Sequence, residues 1–485
     1  MKYEPVVGLE VHAELMTKSK MFCACPVVDS ISAEPNTAVC PVCAALPGVL
    51  PVVNQAAVAA GIKVALALGC AVAHTSLFAR KNYFYPDLPK GYQISQYEYP
   101  LAEHGILPIR TSAGEKPVRI RRVHLEEDTG KLTHVHNDEQ DFSLVDLNRA
   151  GVPLLEIVSE PDLFSLEEVS AYAMGLRQLL RYLGVNSGDM EKGVIRFEAN
   201  LSLRPTGSDQ LGTRVEIKNL NSFRSMQRAL AYEIERQSAL LDAGEVVSQE
   251  TLGWDEAVGV TVTQRSKEDA HDYRYFLEPD LPPLVVEPEW VAEIKSNLPE
   301  LPHARLQRMI SGYRLPEKQA EVLVEDSLTA DFFEATVKLA GEAAGGLAAN
   351  WITGELFSYL NQGGKSMVDL PLTPQSFAGL LGELKQGTIN QNTGKSVLEE
   401  MLRTGQAAKE IIAKLGLEQI SDRGEIVNTI EQVLSNNPDE LAAYVAGKTG
   451  LEHWFFGQAM RALRGKANPQ VLREELARGL AKHTV

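Results

Sequence analysis

The sequence predicts an α+β fold: a largely antiparallel sheet with helices in residues 1–294, followed by two all-helical segments. Three observations predict it. Short runs of alternating apolar and polar residues recur at 5–15, 118–125, 195–203 and 213–220, the period of half-buried strands. Two longer stretches with helical spacing interrupt them irregularly, as in an α+β domain. Beyond a proline-rich stretch at 279–302 the strand pattern gives way to runs rich in Ala, Leu and Glu.

Taken in order, the first strand puts Val7, Leu9, Val11 and Ala13 on one face and Glu10, His12 and Glu14 on the other, because alternate residues share a side. The first helix starts at Ser165, with Glu168 completing the pattern of a capping box. Val169, Tyr172, Leu176, Leu179 and Leu183 follow at helical spacing, and Gly184 can end it. The strand at 195–203, continued to Arg204, aligns Glu198, Asn200, Ser202 and Arg204. The next aligns Arg214, Glu216 and Lys218. A second helix over 222–244 lines up Phe223, Met226, Leu230 and Ile234. These elements form a domain over 1–294. A helical domain follows over 295–405, with a loop at 386–390, and a small helical domain over 406–485. In the last, Asn437-Pro438 and Asn468-Pro469 each offer an N-cap and a first-turn proline.

At 485 residues the chain is too long for one hydrophobic core. A formal charge of −17 argues against a broad electrostatic grip on nucleic acid. Residues 406–485 hold 10 basic and 10 acidic side chains, so all of that charge lies earlier and the tail repels RNA least. The longest apolar stretch, near 56–73, contains Lys63 and is too weak to span a bilayer. The opening residues lack the pattern of a signal peptide. The expectation is a cytoplasmic protein whose cysteines bind metal or are buried rather than forming disulfides.

Carboxylates and imidazole on one strand face suit a divalent cation, and a solvated outer face explains the same pattern equally well. The recurrence of Glu with Arg, Lys or Asn on several strands, together with Glu126, Glu127 and Asp128, favours a floor for a metal nucleotide: carboxylates hold the ion and cations meet phosphate. The loop at 78–97 interleaves aromatic and basic residues, which suits stacking on a base or packing on a sheet. Cys23-Ala24-Cys25 and Cys40-Pro41-Val42-Cys43 have the spacing of a closed, structural zinc site with four thiolate ligands. Cys70, in an apolar run, reads as buried. No P-loop, GxGxxG, GxSxG or HExxH motif occurs, so any ATP would lie on a sheet.

Several blocks resemble a known family: Gly8-Leu9-Glu10-Val11-His12, Pro35-Asn36-Thr37, the run from Lys81 to Gln93, His124 to Asp128, Asp146 to Glu156, Lys218 to Ser222, Arg265 to Glu268, His271 to Tyr275, and Gly465 to Pro469. All are similar to the B subunit of the aspartyl/glutamyl-tRNA amidotransferase, and the resemblance covers essentially the whole chain. It implies a glutamine-synthetase-like cradle domain, a helical domain and a YqeY-like, tRNA-binding tail. It also implies an ATP- and Mg²⁺-dependent ligase. That enzyme phosphorylates the side-chain carboxylate of Glu-tRNA(Gln) or Asp-tRNA(Asn) and amidates it. The ammonia is channelled from a glutaminase, the A subunit, and a small C subunit completes the complex. Carried onto this chain, Glu10, His12, Glu127 (with Glu126 as the adjacent candidate), Glu198 and Glu216 resemble the Mg²⁺ site. Lys81 and Lys90 resemble residues near the ammonia path or the substrate carboxylate. Cys23, Cys25, Cys40 and Cys43 resemble the family's zinc site. Arg204 and Arg214 are expected, from strand parity alone, to contact phosphate.

Three departures stand out. Arg196-Phe197-Glu198-Ala199-Asn200 replaces a frequent Arg-Cys-Asp-Ala-Asn, moving a carboxylate by one methylene. Leu277 replaces a frequent proline, and 451–458 departs from the usual tail block. Two other functions compete. A ligase for a free amino acid would have no use for an RNA-docking tail. A non-catalytic zinc-containing RNA adaptor would be ill served by carboxylate faces that repel phosphate.

Overall fold

The computed structural model describes residues 2–483 except 30, 137–140, 267–272, 418–422 and 464. Lys267, Glu268, His271 and Asp272 of the motif blocks therefore lie outside the described residues. The chain divides into two compact units, Met1–His303 and Ala304–Val485.

The first unit is a mixed α+β body. Its strands are β1 (Tyr3–Glu14), β2 (Ala71–Val72), β3 (Thr75–Ser76), β4 (Ala79–Asn82), β5 (Tyr92–Ser95), β6 (Ala102–Thr111), β7 (Gly114–Glu127), β8 (Lys131–His136), β9 (Asp141–Asp146), β10 (Pro153–Ser159), β11 (Ile195–Pro205), β12 (Val215–Leu220), β13 (Glu250–Asp255), β14 (Val260–Ser266), β15 (Phe276–Leu277) and β16 (Leu284–Val285). Its helices include α1 (Gln55–Ala67), α2 (Leu166–Tyr182), α3 (Phe223–Asp242) and α4 (Pro288–Ser296). Nine strands form one sheet in the order β14-β13-β12-β11-β1-β10-β7-β6-β2. Every pairing is antiparallel except β12 with β13. That exception follows from connectivity: α3 lies between the two strands in sequence and returns the chain in the same direction.

The sheet's two faces divide by parity. Leu9, Val11, Leu155, Ile157, Ala199 and Leu201 pack into one core with Ile62 of α1, Tyr172 and Leu176 of α2, and Met226 and Leu230 of α3. Burying each large apolar side chain is worth about 1.5–3 kcal/mol, so this pattern pins the register and turns the even-numbered residues of β1 to the other side. α1 comes very close to the sheet at Gly61. A Cβ there would meet Leu101 Cδ2 at 2.7 Å and Leu125 Cδ2 at 3.2 Å.

The predicted helix starts are present, with one altered detail. Ser165 caps α2 by accepting from Glu168 N at 3.1 Å, but the Glu168 carboxylate accepts from Phe164 N, one residue before the cap. Ser222 caps α3 in the same way, accepting from Ser225 N.

The named elements of the second unit, which begins within the helix Pro302–Tyr313 and ends with Pro469–Ala481, are all helices. Ile426, Ile430, Phe455, Leu472, Leu476 and Leu480 form a separate small core. The helix Ala408–Leu415 packs instead against Pro374–Gln386 and Gln391–Thr404. Asn468 caps the last helix as expected, accepting from Gln470 N and Val471 N. Asn437 does not cap with its side chain, because its Nδ2 donates to Val433 O at 2.7 Å. Among the described residues no helix is long and apolar enough to cross a membrane.

Candidate active site

Cross-strand register assembles the polar face of the sheet. In one row Arg196 (β11) lies opposite His12 (β1), His12 opposite Glu156 (β10), and Glu156 opposite His124 (β7). In the next row Glu198 faces Glu10, Glu10 faces Val158, and Val158 faces Arg122. Glu216 of β12 lies opposite Asn200 of β11. Directly paired residues share a face and sit close together, so five strands deliver their charged groups to one surface.

Two donor sets result, each with ligand atoms within 4.8 Å of one another: His12, Glu126 and Glu156, and Glu10, Glu198 and Glu216. His12 Nε2 is 3.4 Å from Glu156 and 3.6 Å from Glu126. His124 Nε2 lies 3.1 Å from Glu156, and Ser95 Oγ donates to Glu126. In the second set Asn200 Nδ2 donates to Glu10 at 3.0 Å, and Thr251 Oγ1 donates to Glu216 at 2.7 Å. Lys218 Nζ lies 3.0 Å from Glu198 and 3.3 Å from Glu216.

The electrostatics are those of a crowded acidic surface. Burial raises the Glu10 carboxyl above the usual range, and the charges of Glu156 and Glu198 push the same way. Burial opposes charge on His12, but Glu156 and Glu126 outweigh it and lift the ring to about 9. Glu156 is held well below the ordinary carboxylate value despite burial, through His124 and His12. Buried carboxylates concentrated in this way require cations. The donor chemistry, carboxylate oxygens with one imidazole, fits a hard divalent ion such as Mg²⁺.

The chain's relatives agree with the family resemblance. A family model described as the GatB/GatE catalytic domain matches residues 5–292, and one described as the GatB domain matches 331–480. The B subunit of the aspartyl/glutamyl-tRNA(Asn/Gln) amidotransferase of Thermodesulfovibrio yellowstonii is 50% identical over 474 residues, 98% of each chain. That of Syntrophotalea carbinolica is 48% identical over 479 residues, 99% of each chain. That of Myxococcus xanthus is 50% identical over 478 residues, covering 99% of this chain and 98% of its own. The chain belongs to the family of aspartyl/glutamyl-tRNA(Asn/Gln) amidotransferase B subunits.

In this member of the family, Glu10, Glu198 and Glu216 meet in one donor set, His12 stands in the neighbouring set with Glu126 and Glu156, and Glu127 joins neither. The carboxylate beside His12 is Glu126, which shares the parity of His124. Alternation along β7 sends Glu127 the opposite way, where it accepts from Ile94 N at 3.0 Å and pairs with Lys90. There it lines a cavity of about 280 Å³ with Lys90, Tyr92, Cys23 and Cys43. Lys81 lies 4.9 Å from the Tyr273 ring. Burial opposes its charge, but Glu126 and the nearby tyrosines raise its pKa.

The two arginines expected to bind phosphate stand differently toward the donor sets. Arg204 has the right parity but lies six residues beyond Glu198, about 20 Å at the rise of an extended strand. It is held by Glu4 at 2.5 Å and lies over Phe164. Arg214 is exposed just before β12 begins. Sequence reasoning also missed Glu156 and His124. An acid inside the apolar run Leu154-Leu155-Glu156-Ile157-Val158 is unusual enough to have flagged the first.

The four cysteines converge, with ligand atoms all within 4.8 Å. Cys43 Sγ is 3.9 Å from Cys40 Sγ and 4.0 Å from Cys25 Sγ. A tetrahedral zinc–thiolate site has sulfurs about 3.8 Å apart, so the residues fit that ion. Cys70 is buried elsewhere in the core. The Cys43 thiol is pulled down to about 4 by a hydrogen bond from Cys23, then by the Cys40 backbone and the ammonium of Lys20. Lys20 is fully buried, with Nζ 3.5 Å from Cys43 Sγ and 3.2 Å from Leu147 O.

Proposed function

We propose that this chain uses ATP to activate the side-chain carboxylate of Glu-tRNA(Gln) or Asp-tRNA(Asn) and then amidates it with ammonia. The observation that carries this reading is the pair of carboxylate sets in adjacent rows of one sheet face, with cationic side chains among them. Glu10, Glu198 and Glu216, with His12, Glu126 and Glu156, would hold Mg²⁺, which neutralises phosphate charge as it shifts between oxygens.

The substrate carboxylate attacks the γ-phosphorus of ATP. One P–O bond forms as the bond to the bridging oxygen breaks, and ADP leaves. The lone pair of ammonia then adds to the acyl phosphate carbonyl. Phosphate departs with the C–O bonding pair and takes the proton shed by nitrogen. The activation is needed because a free carboxylate has no adequate leaving group. Lys81, buried and cationic beside Glu126, is suited to orient the substrate carboxylate, and Lys90 to line the ammonia path. Closely packed aromatic walls around Lys81, including Tyr83 and Tyr273 at 6.0 Å, would help exclude water from the activated carbonyl.

In this reading residues 1–294 are a glutamine-synthetase-like cradle. The segment 295–405 is a helical connector, and 406–485 a YqeY-like tail that docks tRNA. The four cysteines bind a structural zinc ion. The chain works in the cytoplasm with a glutaminase as its A subunit and a small C subunit.

The test is direct. The assembled complex is incubated with ATP, glutamine and Glu-tRNA(Gln), and Gln-tRNA(Gln) is measured. Phosphate release that ignores tRNA would favour a ligase acting on a free amino acid. A complex that binds tRNA but never hydrolyses ATP would favour an RNA-binding adaptor.

A further inference from the structure

We propose that Arg122 is the side chain that grips the transferring phosphoryl group, an inference resting on the reading that Mg·ATP lies on this sheet face. Arg122 sits on β7 opposite Val158, which sits opposite Glu10. It therefore closes the row that begins at Glu198 and Glu10, and it precedes His124 and Glu126 with the same parity.

Its guanidinium is underused. Nη2 is 3.8 Å from Glu156 Oε1, too far for a hydrogen bond. The group lies 5.9 Å from the ring of Tyr97, which is stacked on Tyr275 at 4.3 Å with planes 5° apart. Nε is buried and has no hydrogen-bond partner among the described residues. Nearby arginines are different. Arg119 and Arg121 make two-pronged pairs with Asp162 and Glu160. Arg196 is held by Asp128 at 2.9 Å. A buried N–H without an acceptor is unfavourable, and such groups in native proteins usually answer to a ligand, water or ion.

The chemistry matches. A guanidinium presents a flat fork of donors that fits two phosphate oxygens at once, and it keeps its proton at any working pH. The stacked tyrosines give the fork a wall on one side, and Glu156 approaches without capturing it. Glu10 and Glu198, which would hold the ion, stand toward one end of the row and Arg122 at the other, so a phosphoryl group on this row would have the cation's charge on one side and the guanidinium fork on the other. This replaces the expected roles of Arg204 and Arg214.

The experiment compares wild type, Arg122→Gln and Arg122→Lys in the assembled complex. Three quantities are measured: Mn²⁺ binding without nucleotide by electron paramagnetic resonance, affinity for a non-hydrolysable ATP analogue with Mg²⁺, and KM and kcat for ATP-dependent amide formation. In Arg122→Gln, nucleotide affinity is expected to fall about tenfold or more, the scale of hydrogen bonds to a charged group. kcat falls with it, while Mn²⁺ binding is unchanged. Arg122→Lys keeps the charge but not the fork and recovers only part of the loss, and it carries the test if the Gln variant does not fold. An active complex in which both variants match wild type overturns the assignment. So does a loss of Mn²⁺ binding alongside nucleotide, which would make Arg122 a support for Glu156. A wild-type complex that neither binds Mn²⁺ nor consumes ATP removes the underlying reading instead.

Discussion

Glu10 and Glu198 are direct cross-strand partners on β1 and β11, two carboxylates held face to face within the sheet. Like charges so placed are destabilising by roughly 0.2–1 kcal/mol, and burial raises the Glu10 pKa first, before the charges of Glu156 and Glu198. A nearby cation relieves such a pair, as protonation of Glu10 would.

Replacing Glu10 by Gln should therefore separate stability from function. The amide still accepts from Asn200 Nδ2, which lies 3.0 Å from Glu10 Oε1. In chelator the variant should unfold at a higher temperature than wild type, by the equivalent of up to about 1 kcal/mol. It should lose amide formation and bind Mn²⁺ more weakly, yet still assemble with its partners in the complex. Undiminished amide formation would remove Glu10 from the metal site.

Lys218 is the counterpart of that repulsion. Its ammonium bridges Glu198 and Glu216 at 3.0 and 3.3 Å, so it occupies part of the charge environment a divalent ion would use. With about a third of the side chain exposed, the loss in Lys218→Met is discounted from the buried-pair value to about 1–2 kcal/mol. Added Mn²⁺ should raise the melting temperature of this variant more than that of wild type, since the ion replaces the missing positive charge. Binding at a hundredfold excess over Kd is worth about 2.7 kcal/mol, enough to measure. Equal upshifts in the two proteins would show that Lys218 and the ion do not share the site.

The period of a strand made much of this surface legible. Parity alone put Glu10 with His12 and Glu198 with Asn200, and the sheet brings these sets together. Parity says nothing about which strands are neighbours, so Glu156 on β10 went unseen although it touches His12. Glu127 came from the family resemblance, with Glu126 as the adjacent candidate, and within three consecutive acids parity did not decide between them. Arg204 shows the third limit: parity predicts a shared face, whereas the rise per residue carries the side chain out of reach. The helical second half was legible from composition and caps, but the helix Ala408–Leu415 packs with what precedes it, a tertiary preference no local pattern reveals.

The cysteine cluster gives a third test. Four thiolates around one Zn²⁺ would leave a net negative site, and Lys20, buried 3.5 Å from Cys43 Sγ, would supply the compensating charge. Metal analysis of the purified protein should find about one zinc per chain. Cys40→Ser should lose it and melt at a lower temperature. Lys20→Met should keep all four sulfurs but release zinc to a chelator faster than wild type. Zinc retention unchanged in Lys20→Met would assign the lysine to packing alone.

The tail can be tested by where it is cut. Ending the chain after Gly405 removes Ala408, Ile411 and Ile412, which are buried where Ala408–Leu415 packs on Pro374–Gln386 and Gln391–Thr404. Each large apolar side chain lost there forfeits about 1.5–3 kcal/mol of burial. Ending it after Leu417 keeps that helix and removes the small core built from Ile426, Phe455 and Leu472, together with the bonds from Asn390 to Gly465 O and from Lys466 to Gly416 O. Both truncations should raise the KM for Glu-tRNA(Gln) far more than the KM for ATP. Only the shorter chain should also lose thermal stability in the helical segment that remains. If the longer truncated chain keeps wild-type affinity for tRNA, the tail is not the docking module. The neutral charge of 406–485 would then need another explanation.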